Sequence, residues 1–190
     1  MKVISGTLKG RNIQGYDIDG TRPTMDRVKE SLFAMIQDYI PNSQVLDLFA
    51  GSGNLGIEAI SNGAKHAYFT DNNKEVIKVL NTNITNLSIK DKSTVILTDW
   101  KKYLNNCNQK FDIIFVDPPY DYNVYEKIMD KVSTLNLLNK DGLIILEHAN
   151  LKLKEEYNNL RLYKVKKYGN KTVNIYKNYW HLFFVMLYFI

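Results

Sequence analysis

Asp117-Pro118-Pro119-Tyr120 follows a near-continuous apolar segment at 111–116. An amine on a nucleic-acid base is a poor nucleophile, because its lone pair is delocalised into the ring. It attacks a methyl-sulfonium carbon only when it is held in line, and the carboxylate of Asp117 and the rigidly aimed carbonyl of Pro118 can accept its two hydrogens. Tyr120 can stack on the base. We interpret all four residues as catalytic, with Asp117 as acceptor and orienter. The alternative is a rigid turn that happens to contain Asp and Tyr.

A second motif is glycine-rich: Asp47-Leu-Phe-Ala-Gly51-Ser-Gly53-Asn-Leu-Gly56 matches G-x-G-x-x-G, and Asp71 follows at the spacing of a dinucleotide fingerprint. Glycines let backbone amides approach a ligand, and a carboxylate after the second strand can bind ribose hydroxyls. The turn alone does not separate NAD from S-adenosylmethionine. Asp47 and Asp99 favour the latter, because carboxylates repel a pyrophosphate and suit a cationic cofactor. Each acid alone is more often a solvated loop residue, and Asp99 could simply cap a helix at Trp100.

Alternating patterns of strand and helix position these motifs. Apolar runs predict strands at 45–49, 66–70, 94–97, 111–116 and 142–146, and amphipathic segments predict helices at 26–39, 55–61, 74–87, 100–105 and 124–135. A small basic hairpin is expected around residues 3–13, and a closing hairpin at 161–167 and 172–176. The alternation indicates a doubly wound α/β sheet with right-handed crossovers, in which the first strand–turn–helix is the usual ligand cradle.

Length and composition limit the possible fold and partners less strongly than the motifs do. The 190 residues suggest one domain, and the net charge of +5 fits an anionic partner such as RNA without requiring one. A single cysteine, Cys107, excludes an intrachain disulfide and fits a reducing compartment, and the scattered histidines predict no metal site. We expect a cytoplasmic monomer.

The apolar tail at 181–190 is shorter than the about 20 residues that span a bilayer. We expect it to pack on the body, with a membrane-surface tail or a dimer contact as alternatives.

Four blocks occur in order over roughly residues 2–177. They are Arg22-Pro-Thr-x-Asp26-Arg27-Val-Lys-Glu30-Ser-Leu-Phe33, Asp47-Leu-Phe-Ala-Gly-Ser-Gly-x-Leu-Gly-Ile-Glu-Ala59, Asp117-Pro-Pro-Tyr120 and Tyr168-Gly-x-x-Thr172. Together they resemble the bacterial 16S ribosomal RNA guanine-N2 methyltransferase family. Either central motif alone is only moderately specific, and the first block together with both is strongly specific.

The resemblance implies a Rossmann-like class I methyltransferase fold, with a mostly parallel seven-stranded sheet whose last strand is antiparallel. It implies a single domain at 1–180, made of an N-terminal hairpin and helix (1–40) and a Rossmann-like core (44–177). It also implies S-adenosylmethionine as cofactor, and 16S ribosomal RNA or a small-subunit assembly intermediate as partner. The cofactor-binding residues that it implies are Arg22, Thr24, Asp47, Phe49, Gly51, Gly53, Asp71 and Asp99.

Basic residues near the N-terminus predict a surface for RNA phosphates, with ordinary solvated charges as the alternative. The RNA-binding candidates are Lys9, Arg11, Arg27 and Lys29, with Arg22 nearby. Three further lysines, Lys164, Lys166 and Lys167, are interpreted as charges that protect a strand edge against aggregation.

Other functions stay open at this point. A DNA adenine-N6 methyltransferase shares the Asp-Pro-Pro-Tyr motif, but the chain has no room for a separate DNA target-recognition domain. A protein glutamine methyltransferase uses a related motif. An NAD-dependent oxidoreductase would explain the glycine turn but would leave Asp117–Tyr120 without a role. A non-catalytic RNA-binding module would explain the positive net charge but not the glycine-rich cofactor cradle. The identity of the bound ligand separates these classes.

Overall fold

The alternating segments fold into one mixed sheet with helices on both faces. The computed structural model describes residues 1–15, 23–119, 124–149 and 151–179, with the backbone alone at 23–25. The strands are β1 (Gln44–Asp47), β2 (His66–Asp71), β3 (Ser93–Leu97), β4 (Phe111–Val116), β5 (Leu138–His148), β6 (Glu156–Tyr157), β7 (Leu160–Tyr168) and β8 (Lys171–Asn178). The helices are α1 (Pro23–Ile36), α2 (Asn54–Ser61), α3 (Lys74–Asn86), α4 (Trp100–Asn106) and α5 (Tyr125–Thr134).

The sheet has the strand order β3-β2-β1-β4-β5-β8-β7-β6. Strands β1 to β5 pair in parallel. From β1 the chain moves outward through β2 and β3, and it then returns to place β4 on the other side of β1. The carboxyl ends of β1 and β4 therefore flank the point where the strand order reverses, which is where open α/β sheets bind their ligands.

The last strands close the sheet in antiparallel fashion. Strand β8 pairs antiparallel with both β5 and β7, which confirms the expected antiparallel last strand. The two-residue β6 adds an eighth strand to the seven that were expected. The predicted start of β5 at residue 142 is wrong by four residues: Leu138 already pairs with Phe111, and a register irregularity lies between that pair and the pair of Ile113 with Leu143.

The central strand β4 is buried on both faces of the sheet. Ile113 and Phe115 pack into a core cluster shared with α1, α2 and α3, whereas Ile114 and Val116 pack into a second cluster shared with α4 and α5. Burial on both faces explains the near-continuous apolar run of this strand. In the part of the chain that the structure describes, no helix is long and apolar enough to cross a membrane. The apolar tail at 181–190 lies outside the described residues.

Candidate active site

The glycine turn lies between β1 and α2, and the backbone amides of its three glycines have partners inside the protein. The Gly56 N–H donates to Oδ2 of Asp47 at 2.9 Å, and the Gly51 N–H donates to Oδ2 of Asp71 at 3.1 Å. The Gly53 N–H donates to the carbonyl of Ala50 at 2.7 Å. The carboxylate of Asp47, only 3% exposed, therefore occupies the start of α2.

This arrangement favours one of the two cofactor classes left open by the sequence. A pyrophosphate binds at a helix N-terminus through free backbone amides and the positive end of the helix dipole. Here a carboxylate already accepts from the first turn of α2, and the amides of Gly51 and Gly53 are engaged elsewhere. A dinucleotide would meet negative charge and glycine amides that already have partners, whereas a ligand with an ammonium and hydroxyls would meet acceptors.

Burial changes the proton affinity of Asp47. Loss of water around the side chain raises its pKa to about 7, and the nearby Asp71 carboxylate adds to the rise, while the hydrogen bond from Gly56 opposes it. A cation held at this carboxylate would offset the cost of its burial, because an opposite charge favours the ionised form.

The other two predicted acids of the cradle also lie at strand ends. Asp71, the last residue of β2, accepts from Gly51 through Oδ2 and from Asn73 through Oδ1 at 2.9 Å. Asp99, after β3, accepts through Oδ1 from the amides of Lys101 and Lys102 and so caps α4. The helix-cap alternative for Asp99 is confirmed, and its role toward a cofactor stays a prediction. Phe49 is half-buried against the α4–α5 side of the core.

Asp117 directly follows β4, next to an ion pair that the sequence did not reveal. Val116 pairs with Leu146, so Asp117 lies beside Glu147 at the ends of neighbouring parallel strands. Glu147 forms an ion pair with Lys171, the first residue of β8, and both side chains are only 12% exposed. Desolvation raises the pKa of Asp117 well above its usual range, the negative charge of Glu147 raises it further, and Lys171 lowers it.

The structure brings together two motifs that are 70 residues apart in the sequence. Asp47 pairs in register with Phe115 of β4, so the cofactor cradle and Asp117 lie next to each other at the carboxyl end of the sheet. Pro118 is buried and Pro119 is exposed. Tyr120 and Arg22 lie outside the described residues, as does the side chain of Thr24.

Three of the four predicted RNA-binding residues lie at the surface, and their role toward RNA stays a prediction. Lys9, Arg11 and Arg27 are exposed, and Nη2 of Arg11 donates to the carbonyl of Asn86 at 2.6 Å. The prediction for Lys29 is wrong, because its side chain is only 2% exposed and points into the protein.

Lys29 instead joins α1 to α2. Its ammonium lies 2.9 Å from Oε2 of the fully buried Glu58 and donates at 2.8 Å to the carbonyl of Lys2 and to Oδ1 of Asn54. Glu58 also accepts from the backbone amides of Ile4 and Ser5 and so fixes the N-terminal segment. The sequence held one signal of this role, since Lys29 precedes the core residue Phe33 by one helical turn.

Within residues 1–15, 23–119, 124–149 and 151–179, no group of three or more His, Cys, Asp or Glu side chains could hold a metal ion.

Comparisons with known proteins extend over both motifs. Residues 1–177 match the family described as "Conserved hypothetical protein 95". The chain is 34% identical to ribosomal RNA small subunit methyltransferase D of Haemophilus influenzae over 182 residues, which cover 94% of each protein. It is 37% identical to YlbH of Bacillus subtilis over 181 residues, 93% of this chain and 98% of YlbH. The solved structure of Escherichia coli yhhF superposes with a TM-score of 0.85 at 30% identity, over 94% of this chain and 98% of that one.

Proposed function

Since the chain belongs to the family of ribosomal RNA small subunit methyltransferase D, we propose that it transfers a methyl group from S-adenosylmethionine to the exocyclic N2 amine of one guanine in 16S ribosomal RNA. The observation that carries this proposal is the meeting of Asp47 and Asp117 at the ends of the neighbouring strands β1 and β4. A cradle for a cationic cofactor and an acceptor for a base amine thus lie side by side at the carboxyl end of the sheet.

The residues of the cradle fit the proposed cofactor. Asp47 would hold the ammonium at the methionine end, Asp71 the ribose hydroxyls, and Asp99 the adenine. When bound, S-adenosylmethionine supplies a methyl group on a positively charged sulfur. The engaged amides of Gly51 and Gly53 leave this part of the turn without the donors that a pyrophosphate needs, which disfavours an NAD-dependent oxidoreductase.

Asp117 would hold the target amine. Its carboxylate accepts one amine hydrogen and the carbonyl of Pro118 accepts the other, so that the nitrogen lone pair points at the methyl carbon. The new C–N bond would form as the methyl–sulfur bond breaks, with that bond's electron pair left on the sulfur. The nitrogen would then have to lose a proton, and the raised pKa of the Asp117 carboxyl favours its taking that proton. Most of the rate enhancement comes from holding two reactants in line. In this proposal Tyr120 stacks on the guanine, which must be flipped out if its site is paired.

The relatives are named as ribosomal RNA methyltransferases. Their names favour RNA as the substrate over the two alternatives, adenine in DNA and glutamine in a protein. We propose further that residues 1–180 act as a single domain, and that the enzyme works as a monomer in the cytoplasm, where its RNA substrate is made.

The experiment that tests this function measures transfer of labelled methyl from S-adenosylmethionine to small-subunit ribosomal RNA from a strain that lacks the protein. Asp117→Ala should lower the rate by about 100-fold or more, because it removes the acceptor, and should change cofactor affinity by only a few fold. Asp130→Ala is the matched control, since Asp130 is an exposed acid on α5. Turnover by Asp117→Ala at the level of the control would refute the role of this carboxylate.

A further inference from the structure

Strand β7 forms an open edge of the sheet. Only two of its residues pair on the outer side, Leu160 with Tyr157 and Arg161 with Glu156 of the short strand β6. The Leu162 N–H also donates on this side, to the carbonyl of Glu155 at 2.8 Å. Beyond Leu162, no described residue pairs with the outer side of β7. This stretch carries Lys164, which is half-buried, and the exposed Lys166 and Lys167. We call these three lysines the basic edge.

The basic edge is not neutralised by acids. None of its three lysines has a carboxylate within ion-pair distance in the described part of the chain. Two neighbouring cations differ in this respect, since Arg161 pairs with Glu156 at 2.9 Å and Lys177 pairs with Asp141 at 3.0 Å. The positive charge of the basic edge is therefore available to an anionic partner.

The register of the sheet relates this edge to the candidate active site. Asp117 lies beside Glu147, Glu147 pairs with Val173, and Val173 pairs with Lys166. Lys166 is therefore three strand spacings from Asp117, about 14 Å along one line across the sheet. Strand β7 also runs in the same direction as β4 and β5, because β8 is antiparallel to both of its neighbours. The later residues of β7 thus lie toward the carboxyl end of β4, which Asp117 follows.

The lysines lie along the strand in a way that suits an extended polyanion. Lys164 pairs with Ile175 and Lys166 with Val173, so both lie on the α1 side of the sheet, whereas Lys167 pairs with Thr172 and lies on the other side. The repeat of two residues is about 6.7 Å, comparable to the separation of successive phosphates in a nucleic-acid strand. Tyr163, 38% exposed, adds an aromatic ring to the same edge, and charged tracks with aromatic rings are typical of single-strand binding.

We propose that the basic edge binds the phosphate backbone of single-stranded ribosomal RNA that flanks the target base. The identity of this RNA rests on the proposed function. The competing explanation is that the lysines only prevent strands of two molecules from pairing edge to edge.

Charge reversal separates these explanations, because glutamates keep the edge charged and unattractive to another strand while they repel phosphate. The test variant is Lys164→Glu/Lys166→Glu/Lys167→Glu. The control variant is Lys65→Glu/Lys90→Glu/Lys92→Glu, which changes the formal charge equally at exposed lysines near the amino ends of β2 and β3.

We expect the test variant to raise KM for ribosomal RNA about 30-fold, with kcat at saturating RNA within about twofold and cofactor affinity unchanged. The slope of log(kcat/KM) against log salt should become shallower by about 2, since each single-strand phosphate contact contributes about 0.7. The control should raise KM by less than about threefold. Equal KM values and salt slopes for the two variants would overturn the proposal.

Direct binding of a labelled single-stranded RNA, followed by fluorescence anisotropy, tests the basic edge even if no methyl transfer is found. Weaker binding by the test variant than by the control would support the edge without the proposed reaction. Equal binding would refute the edge whatever the reaction is.

Discussion

Replacement of Lys29 by methionine should destabilise the protein strongly, because it leaves a buried carboxylate without its counter-charge. The Lys29 ammonium lies 2.9 Å from Glu58, and the two side chains are 2% and 0% exposed. In the variant, Glu58 keeps its hydrogen bonds from the N-terminal segment, including 2.8 Å from the Ser5 amide, but its charge stays buried. Loss of one partner of such a pair costs about 3–5 kcal/mol.

That cost is a large share of the roughly 5–15 kcal/mol by which a native protein is stable. For a chain of this length it corresponds to a fall in Tm of roughly 6–20 °C. The assay is urea unfolding at neutral pH. Lys78→Met is the matched control, because the Lys78–Glu75 pair has the same 2.9 Å separation but side chains that are 62% and 73% exposed. Exposed pairs contribute about 0–1 kcal/mol, so the control should be nearly as stable as the wild type.

The double variant Lys29→Met/Glu58→Gln isolates the pair. We expect it to lose less stability than the sum of the two single variants, because the uncompensated charge is absent when both partners are neutral. If Lys29→Met is within about 1 kcal/mol of the Lys78→Met control, the assignment of Lys29 to a buried ion pair is wrong. A selective rise in KM for RNA, with stability unchanged, would restore the sequence-based prediction of a phosphate contact.

Three further predictions concern the cradle, the catalytic carboxyl and the N-terminal segment. The affinity for S-adenosylmethionine should increase as pH rises through about 7, because a bound cation favours the ionised form of Asp47, and Asp47→Asn should lose this dependence in titration calorimetry. Lys171→Met should move the acid limb of the pH–rate profile to higher pH, because Lys171 lowers the pKa of the Asp117 carboxyl, which must be ionised to accept the amine proton. Gly6→Ala should cost more stability than Gly10→Ala in urea unfolding. Both glycines have positive φ, +74° and +83°, but only at Gly6 would an added Cβ lie 1.9 Å from a backbone oxygen.

Each of these predictions has an outcome that contradicts it. Affinity that is independent of pH near 7 in the wild type would contradict the raised pKa of Asp47, and unchanged affinity in Asp47→Asn would remove Asp47 from cofactor binding. An unmoved or lowered acid limb in Lys171→Met would show that the Glu147–Lys171 pair does not act on Asp117. Gly10→Ala should cost about 1–2 kcal/mol from the left-handed backbone alone, and an equal cost at Gly6 would contradict the close approach seen there.

Much of the fold could be predicted because its signals are local. The apolar segments at 45–49 and 111–116 indicate buried strands, and glycines between a strand and a helix indicate a cradle at the switch point. The proximity of Asp47 and Asp117 followed from topology, since both come at the carboxyl ends of parallel strands. The exact start of β5 did not follow, because Asn139 to Gly142 is a polar stretch whose pairing depends on a register irregularity beside β4.

The buried ion pairs could not be predicted, because their partners are distant in the sequence. Lys29 and Glu58 are each ordinary charges within amphipathic helices, and only the packing of α1 and the N-terminal segment on α2 removes both from water. Likewise, Glu147 and Lys171 meet only because β8 lies antiparallel to β5. Ion pairs between residues that are far apart in the sequence can be identified only from the tertiary structure.

The most direct test of the central claim is the identity of the base that this protein methylates. Small-subunit ribosomal RNA from a strain without the protein should be incubated with the protein and labelled S-adenosylmethionine, then digested to nucleosides and analysed by mass. We predict N2-methylguanosine from a single site, and its loss with Asp117→Ala. N6-methyladenosine, or label only in protein, would contradict the substrate, and the absence of transfer together with binding of NAD would contradict the chemistry assigned to Asp47 and Asp117.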